Sequence, residues 1–438
     1  MLAFPHFPPR RLITALVALF LGATAPLAIR AADTPAKPTQ PPFKYLWGTA
    51  HHILPETHSD ESGYFSIVEG RNGHIYVGTA KYGTNAFLVD FDPATAQQKI
   101  VIDTHKLCGL SATGFAAQAK IHTRNFVGPS GTVYVGSKQG YARAGDTGVY
   151  PGGYVMTYDP RTGKAENLGM PFPTEGVIDV VADEARGRIY VVTCENQHWM
   201  RYDTKTRHYR ELGPLLTAYA TTLVDPAGRA HAITADFQMA QCDPATDKVI
   251  VREIQLDGVT WKRANTSAIP TWHLAADGRT AYLILMNAPH LLAVDLVPQR
   301  AGDREIIRAR NLGPMLAGKG FDSRASLSIA PDGRVYTILR VDNQTGFGGG
   351  HLHHIARFDP ANGRMEDLGV MAVKNPDFFD FSPRADGKRP PWSHGYHTLP
   401  DKTLTPLHGH QGLIVARDGT LYALILYPYT LLQIRGVN

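Results

Sequence analysis
Short apolar runs recur along this chain, each opened by a tight glycine turn: GRNGHIYVGT, GPSGTVYVGS, EARGRIYVVT, PAGRAHAIT, ADGRTAYLIL, PDGRVYTIL and RDGTLYALIL. Brief runs rich in β-branched and aromatic residues between turn signals read as strands. The turn glycines are Gly73, Gly131, Gly187, Gly228, Gly278, Gly333 and Gly419, spaced by 58, 56, 41, 50, 55 and 86 residues. A second run then ends in an Asp-led turn, as in DFDPATAQ, TYDPRTGK, RYDTKTRH, QCDPATDK and RFDPANGR. Proline presets φ there, and the Asp side chain bonds back to the backbone. A further strand often closes on Leu-Gly, as at Leu168-Gly169 and Leu368-Gly369. Each unit reads as a four-stranded antiparallel meander. Repetition of such a unit predicts an all-β fold, a seven-bladed β-propeller. The last unit lacks an outer strand of its own, and the segment from Tyr45 to Ile53 can supply it, closing the ring.

The amino terminus follows another pattern. Arg10 and Arg11 precede an uncharged run from Leu12 to Ala25, with small residues at Ala23, Ala25, Ala31 and Ala32. This predicts a secretory signal over residues 1–31, a Pro-rich leader over 32–41 and the propeller over 42–438. The run is short for a bilayer span. A periplasmic or secreted protein follows, with no membrane attachment after signal removal. Composition adds little to this: hydrophobic residues make up 43% and charged residues 19% of 438. The net charge is +5, and three of those charges are Arg10, Arg11 and Arg30 in the predicted signal. The remaining +2 gives no case for a nucleic-acid partner. Three cysteines are too few and too odd in number for a disulfide framework.

Propeller geometry turns sequence position into location. Starts of first strands and ends of second strands meet on one face, around the central channel; the Gly and Asp-Pro turns lie at the other. The first face collects His122, His273, Arg324 and His410, with Lys138, Tyr141, Trp199, Asp236, Asp342 and Tyr427. The second collects turn residues with no evident chemistry. Long insertions point to the first face: Lys138 to Tyr154, Val341 to His354, and the segment of about 36 residues before His410. His122 and Arg124 stand two apart on one strand, hence on one side. His353, His408 and His410 offer ligands to a divalent ion, zinc or calcium, although their spacing is not diagnostic. Cys194, near the channel, reads as a buried small hydrophobe.

A cup of His, Tyr, Arg and Lys with Trp nearby suits a carboxylate-bearing sugar. Hydrolysis of glycosides wants two facing carboxylates, and this face offers Asp236 and Asp342 with no Glu. β-Elimination from a uronate needs instead a base, a cation and an acid. The segments AKIHTRNFVGPSGTVYVGSKQGY, YPGGYVMTYDP and LYPYTLLQI carry the His of the second unit with Tyr and Arg after it. In this the chain resembles the secreted seven-bladed propeller polysaccharide lyases of the ulvan and rhamnosyl-glucuronate type, and more loosely virginiamycin B lyase. The resemblance implies a carbon-oxygen lyase acting on an acidic glycan or oligosaccharide as a monomer. It also implies His122 as base or charge neutraliser, Tyr141 or Tyr154 as acid, and Arg124 or Arg143 on the carboxylate. Lys138, Trp199, His273, Arg324 and Tyr427 would then bind substrate. The competing reading is a non-catalytic propeller presenting the same cup to a glycan or a protein.

Overall fold
The computed structural model describes residues 38–438 except 60–63, 147, 264–268, 287, 318–325, 409–411 and 438. The segments expected as signal and most of the leader, as well as Arg324 and His410, lie outside the described residues. Residues 38–438 form one compact unit. The longest helix in it is Thr104–Cys108, and no helix is long and apolar enough to cross a membrane among the described residues.

The strands group into successive antiparallel meanders. The first unit runs Ile67–Glu69, Ile75–Gly78, Phe87–Phe91 and Gln98–Asp103. The third and fourth repeat the plan over 176–211 and 223–252, and the sixth over 328–373. All the turn glycines named above have φ between +64° and +92°, a left-handed backbone that favours glycine. This is why the glycine periodicity could be read as a strand periodicity. Several second strands, such as Val133–Lys138 and Leu421–Ile425, are buried along their whole length, because they lie between two strands of their own sheet and under neighbouring units. They therefore read as unbroken apolar runs. Fourth strands such as Lys164–Asn167 and His208–Glu211 alternate or face solvent, and their charges blunt an exposed edge.

The fifth unit departs from the plan. Its third and fourth strands, Ala288–Ala301 and Arg304–Pro314, form a long hairpin, and Ile254–Leu256 adds to its edge in parallel before the unit's first strand begins. In the sixth unit, the insertion expected as a loop is half strand: Val335–Asp342 pairs with His351–Asp359.

The ring closes through the amino-terminal strand, Tyr45–His52. It pairs antiparallel with Thr430–Ile434, from Gly48↔Ile434 to His52↔Thr430, and so becomes the fourth strand of the last unit. Its first half pairs in parallel with the outer strand of the sixth unit, from Tyr45↔Val370 to Gly48↔Val373. Beyond that point the Asn375 side chain continues the ladder. Its Oδ1 accepts the Ala50 N–H at 2.8 Å and its Nδ2 donates to the Ala50 carbonyl at 3.0 Å. Deletion of residues 42–55 is expected to abolish the single cooperative unfolding transition, followed by circular dichroism on heating. An unchanged melt would show that the ring holds without this strand.

Candidate functional site
The second unit's first strand is broken where chemistry was expected. Lys120 and Ile121 pair with Lys138 and Ser137, and pairing resumes only at Phe126 and Val127. In the gap the Thr123 hydroxyl stands in for a backbone group. It donates to the Gly136 carbonyl and accepts the Gly136 N–H, both at 2.7 Å. A bulge of this kind re-aims side chains. His122 and Arg124, expected on one side, consequently serve different surroundings.

His122 faces a group of rings. Phe65 stacks on its imidazole at 4.9 Å and 10°, Tyr64 lies at 4.5 Å and Tyr219 at 6.1 Å. The residue is 5% exposed, yet neither ring nitrogen has a hydrogen-bond partner among the described residues. Burial, then the charges of Lys120 and Lys138, push its pKa well below the usual range, so the ring is neutral at neutral pH. Lys120 Nζ lies 4.2 Å from the Tyr141 ring centre and 4.6 Å from that of Tyr82. Lys138 Nζ pairs with Glu195 Oε1 at 3.0 Å. Tyr141, 63% exposed, is the ring of this group that meets solvent most. Tyr64 and Tyr219 hold φ of +52° and +54°, uncommon for bulky residues. The same strain recurs on this face at Phe237 and Tyr427. Each such residue costs on the order of 1 kcal/mol or more, which the surroundings must offset.

Arg124 points instead into the channel. A cavity of about 360 Å³ lies there, lined among others by Arg124, Asp179, Thr221, Trp272 and His273 and reaching Glu184 in a glycine turn. The side of the ring read as structural thus carries titratable groups as well. Arg124 and Asp179 meet in a parallel backbone bridge, and Arg124 Nη2 donates to Thr271 Oγ1 at 3.4 Å. Asp179, 1% exposed, accepts the Thr222 N–H at 2.8 Å through Oδ2, while its Oδ1 has no partner among the described residues. Burial raises its pKa to about 7 against the opposing pull of Thr222 and Arg124. Burial also lowers His273 to about 3, with Arg124 adding to the effect.

Other expected residues fall elsewhere. Trp199 is fully buried in a core cluster and donates to Thr222 Oγ1 at 3.2 Å, so it is a packing residue and not a sugar platform. Tyr154 packs against the apolar cluster between the first two units, away from the rings around His122. Arg143 is exposed in the loop after Tyr141. Tyr427 belongs to a separate patch in the last unit, stacked on His394 at 4.2 Å with His408 at 5.6 Å. His353 is buried on a strand with Nδ1 against the Pro406 carbonyl at 2.9 Å. Among the described residues no three His, Cys, Asp or Glu gather as metal ligands. The expectation of a face without Glu fails: Glu195 pairs with Lys138, and Glu175 accepts from the Asn196 backbone and side chain. Both are held in place by those contacts. Lys120, Tyr64, Phe65, Tyr219 and Glu195 were missed by sequence reasoning. Lys120 lies two residues before the first-strand start His122, which was the available signal.

No family model matches the chain, and no curated protein matches it. Among solved structures it is similar to a chain of the mitotic checkpoint complex, at 11% identity and a TM-score of 0.52, over 98% of this chain and 100% of that one. It is likewise similar to the RRP9 WD40 repeats, at 8% identity and a TM-score of 0.51, over 90% and 99%. At such identities the likeness concerns the fold, which is a β-propeller.

The buried Asp179 carries a test. Its folded pKa, about 7, exceeds the unfolded value of about 3.9, so the folded state holds a proton that the unfolded chain releases. Its contribution to stability is full below pH about 4 and is lost as the pH rises to about 7. Asp179→Asn keeps the neutral shape. Relative to that variant, wild type should lose on the order of 2–4 kcal/mol between those pH values, measured by denaturant unfolding. His122 and His273 have lowered pKa values and shift stability the other way, but they are present in both proteins. A pH-independent difference between the two proteins would refute the shift.

Proposed function
We propose that the protein is a ligand-binding propeller whose aromatic cluster around His122 takes a carboxylate-bearing sugar or oligosaccharide. The observation that carries this reading is His122 itself. A buried polar side chain is almost always hydrogen-bonded, and leaving one unpaired costs about 1–3 kcal/mol. Here both ring nitrogens lack a partner among the described residues, in the positive fields of Lys120 and Lys138. A ligand hydroxyl or carboxylate would supply the missing bond. The rings of Tyr64, Phe65, Tyr219 and Tyr141 offer faces for the C–H surface of a sugar. The periplasmic or secreted location drawn from the basic and apolar start of the chain belongs to the same proposal.

A second reading is favoured by one observation, the lowered pKa of His122, which keeps the ring in its base form. In that reading His122 removes the proton α to a uronate carboxylate. Lys120 and Lys138 hold the resulting enediolate, and Tyr141 protonates the oxygen as the β C–O bond breaks.

One experiment separates the two. Acidic oligosaccharides are titrated into the protein by calorimetry while ultraviolet absorbance follows any unsaturated uronate. Binding without new absorbance, weakened at least tenfold in His122→Ala, is the expected result. A rate of absorbance lost by about 10²–10⁴-fold in that variant would establish the second reading. No binding to any acidic sugar, or equal binding by a folded His122→Ala, would overturn the first.

A further inference from the structure
Lys138 Nζ lies 2.7 Å from Cys194 Sγ. A nitrogen donor meets an oxygen acceptor at about 2.9–3.0 Å. Sulfur is a larger atom and a weaker acceptor, so a hydrogen bond from nitrogen to sulfur needs a longer separation still. The two atoms are too close for that bond and too far apart for a direct sulfur–nitrogen bond. The separation is that of two atoms joined through one oxygen. We propose that Lys138 and Cys194 are the partners of a covalent Nζ–O–Sγ bridge, a cross-link between the second and third units.

The surroundings fit this chemistry. Lys138 ends the second strand of one unit and Cys194 the second strand of the next, both almost completely buried. Glu195 reaches both: its Oε1 is 3.0 Å from Nζ and accepts from the thiol at 3.6 Å. The Glu195 side chain is 65% exposed, so a proton taken from either group can pass to solvent. Cys108 packs against an apolar cluster, and the Cys242 thiol faces the Asp243 carbonyl at 3.9 Å. Those two cysteines serve as internal controls.

The oxidant is a peroxide. A first hydrogen peroxide converts the Cys194 thiol to a sulfenic acid: the S–H and O–O bonds break, the S–O bond forms and one water leaves. Lys138 passes one ammonium proton to Glu195 and becomes an amine. A second peroxide then oxidises nitrogen as the sulfenic oxygen closes on it. One N–H, the sulfenic O–H and the peroxide O–O bond break, the N–O bond forms and two waters leave. Sulfur and nitrogen each give up two electrons, and each peroxide takes two. Two equivalents of a dithiol reverse the sum, returning thiol, amine and one water. The bridge also withdraws the Lys138 charge from beside His122.

The test reads mass, so it does not depend on the function proposed above. The full chain is exposed to hydrogen peroxide, digested with trypsin without reduction and analysed by mass spectrometry. The expected product is a linked pair of peptides carrying Lys138 and Cys194, heavier by one oxygen and lighter by two hydrogens, uncleaved after Lys138. Dithiothreitol should abolish it, and Lys138→Arg and Cys194→Ser should each lack it. Glu195→Gln, a change at a largely exposed side chain, should slow its formation. Recovery of Cys194 from the wild-type chain as a free thiol, or as an unlinked sulfenic or sulfinic acid, with normal cleavage after Lys138, would overturn the proposal.

Discussion
The strand at residues 45–52 is shared between two sheets, and the architecture depends on that sharing. A propeller whose units contact only their neighbours has two ends, and each end would present an open sheet edge or an uncovered apolar face. Pairing with Thr430–Ile434 on one side and with the outer strand of the sixth unit on the other removes both. Asn375 extends the second ladder by imitating a backbone amide. A further tie crosses the seam, where the Tyr429 hydroxyl donates to the Gly78 carbonyl at 2.8 Å. With the circle closed, the first strands face a common channel, and the loops on one face converge on it.

Much of this architecture was legible because it rests on backbone conformation. A left-handed turn wants glycine, and an Asp-led turn wants Asp, so Gly73 through Gly419 and the Asp-Pro pairs mark strand ends whatever the strands contain. The closing strand was legible for a related reason, since the last unit was one strand short. Period-two reasoning failed where the backbone left its period. Thr123 substitutes for a ladder bond, and that single bulge separates His122 from Arg124. The long fifth-unit hairpin was missed because its strands run through LVPQRAGDREI, where polar residues interrupt the apolar pattern.

The site was legible in part. His122, Lys138 and Tyr141 were found from position along the unit and do lie in one group, whereas Trp199 and His353 were placed by the same logic and turned out to be interior residues. Position along a strand gives height within the ring but not the direction of a side chain. Trp199 opens the third strand of its unit, Trp199–Asp203, packs in the core cluster shared with the next unit, and its indole anchors Thr222. The Trp272 indole anchors the neighbouring Thr221 carbonyl. Two tryptophans thus fix the first strand of the fourth unit. Pairing across units, as between Glu195 and Lys138, has no local sequence signature at all.

The aromatic residues held in left-handed backbone have a consequence for the thermodynamics of recognition. Tyr64 and Tyr219 have few alternative poses, because the backbone at each is fixed by the fold and each ring is packed against Phe65 or His122. A ligand arriving at such a surface orders little that was not already ordered. Association normally gives up about 0.5–1.5 kcal/mol for each mobile side chain it immobilises. Rings locked in advance spare that loss, having incurred it when the chain folded. Folding stability is in effect exchanged for a recognition surface with little entropy left to lose.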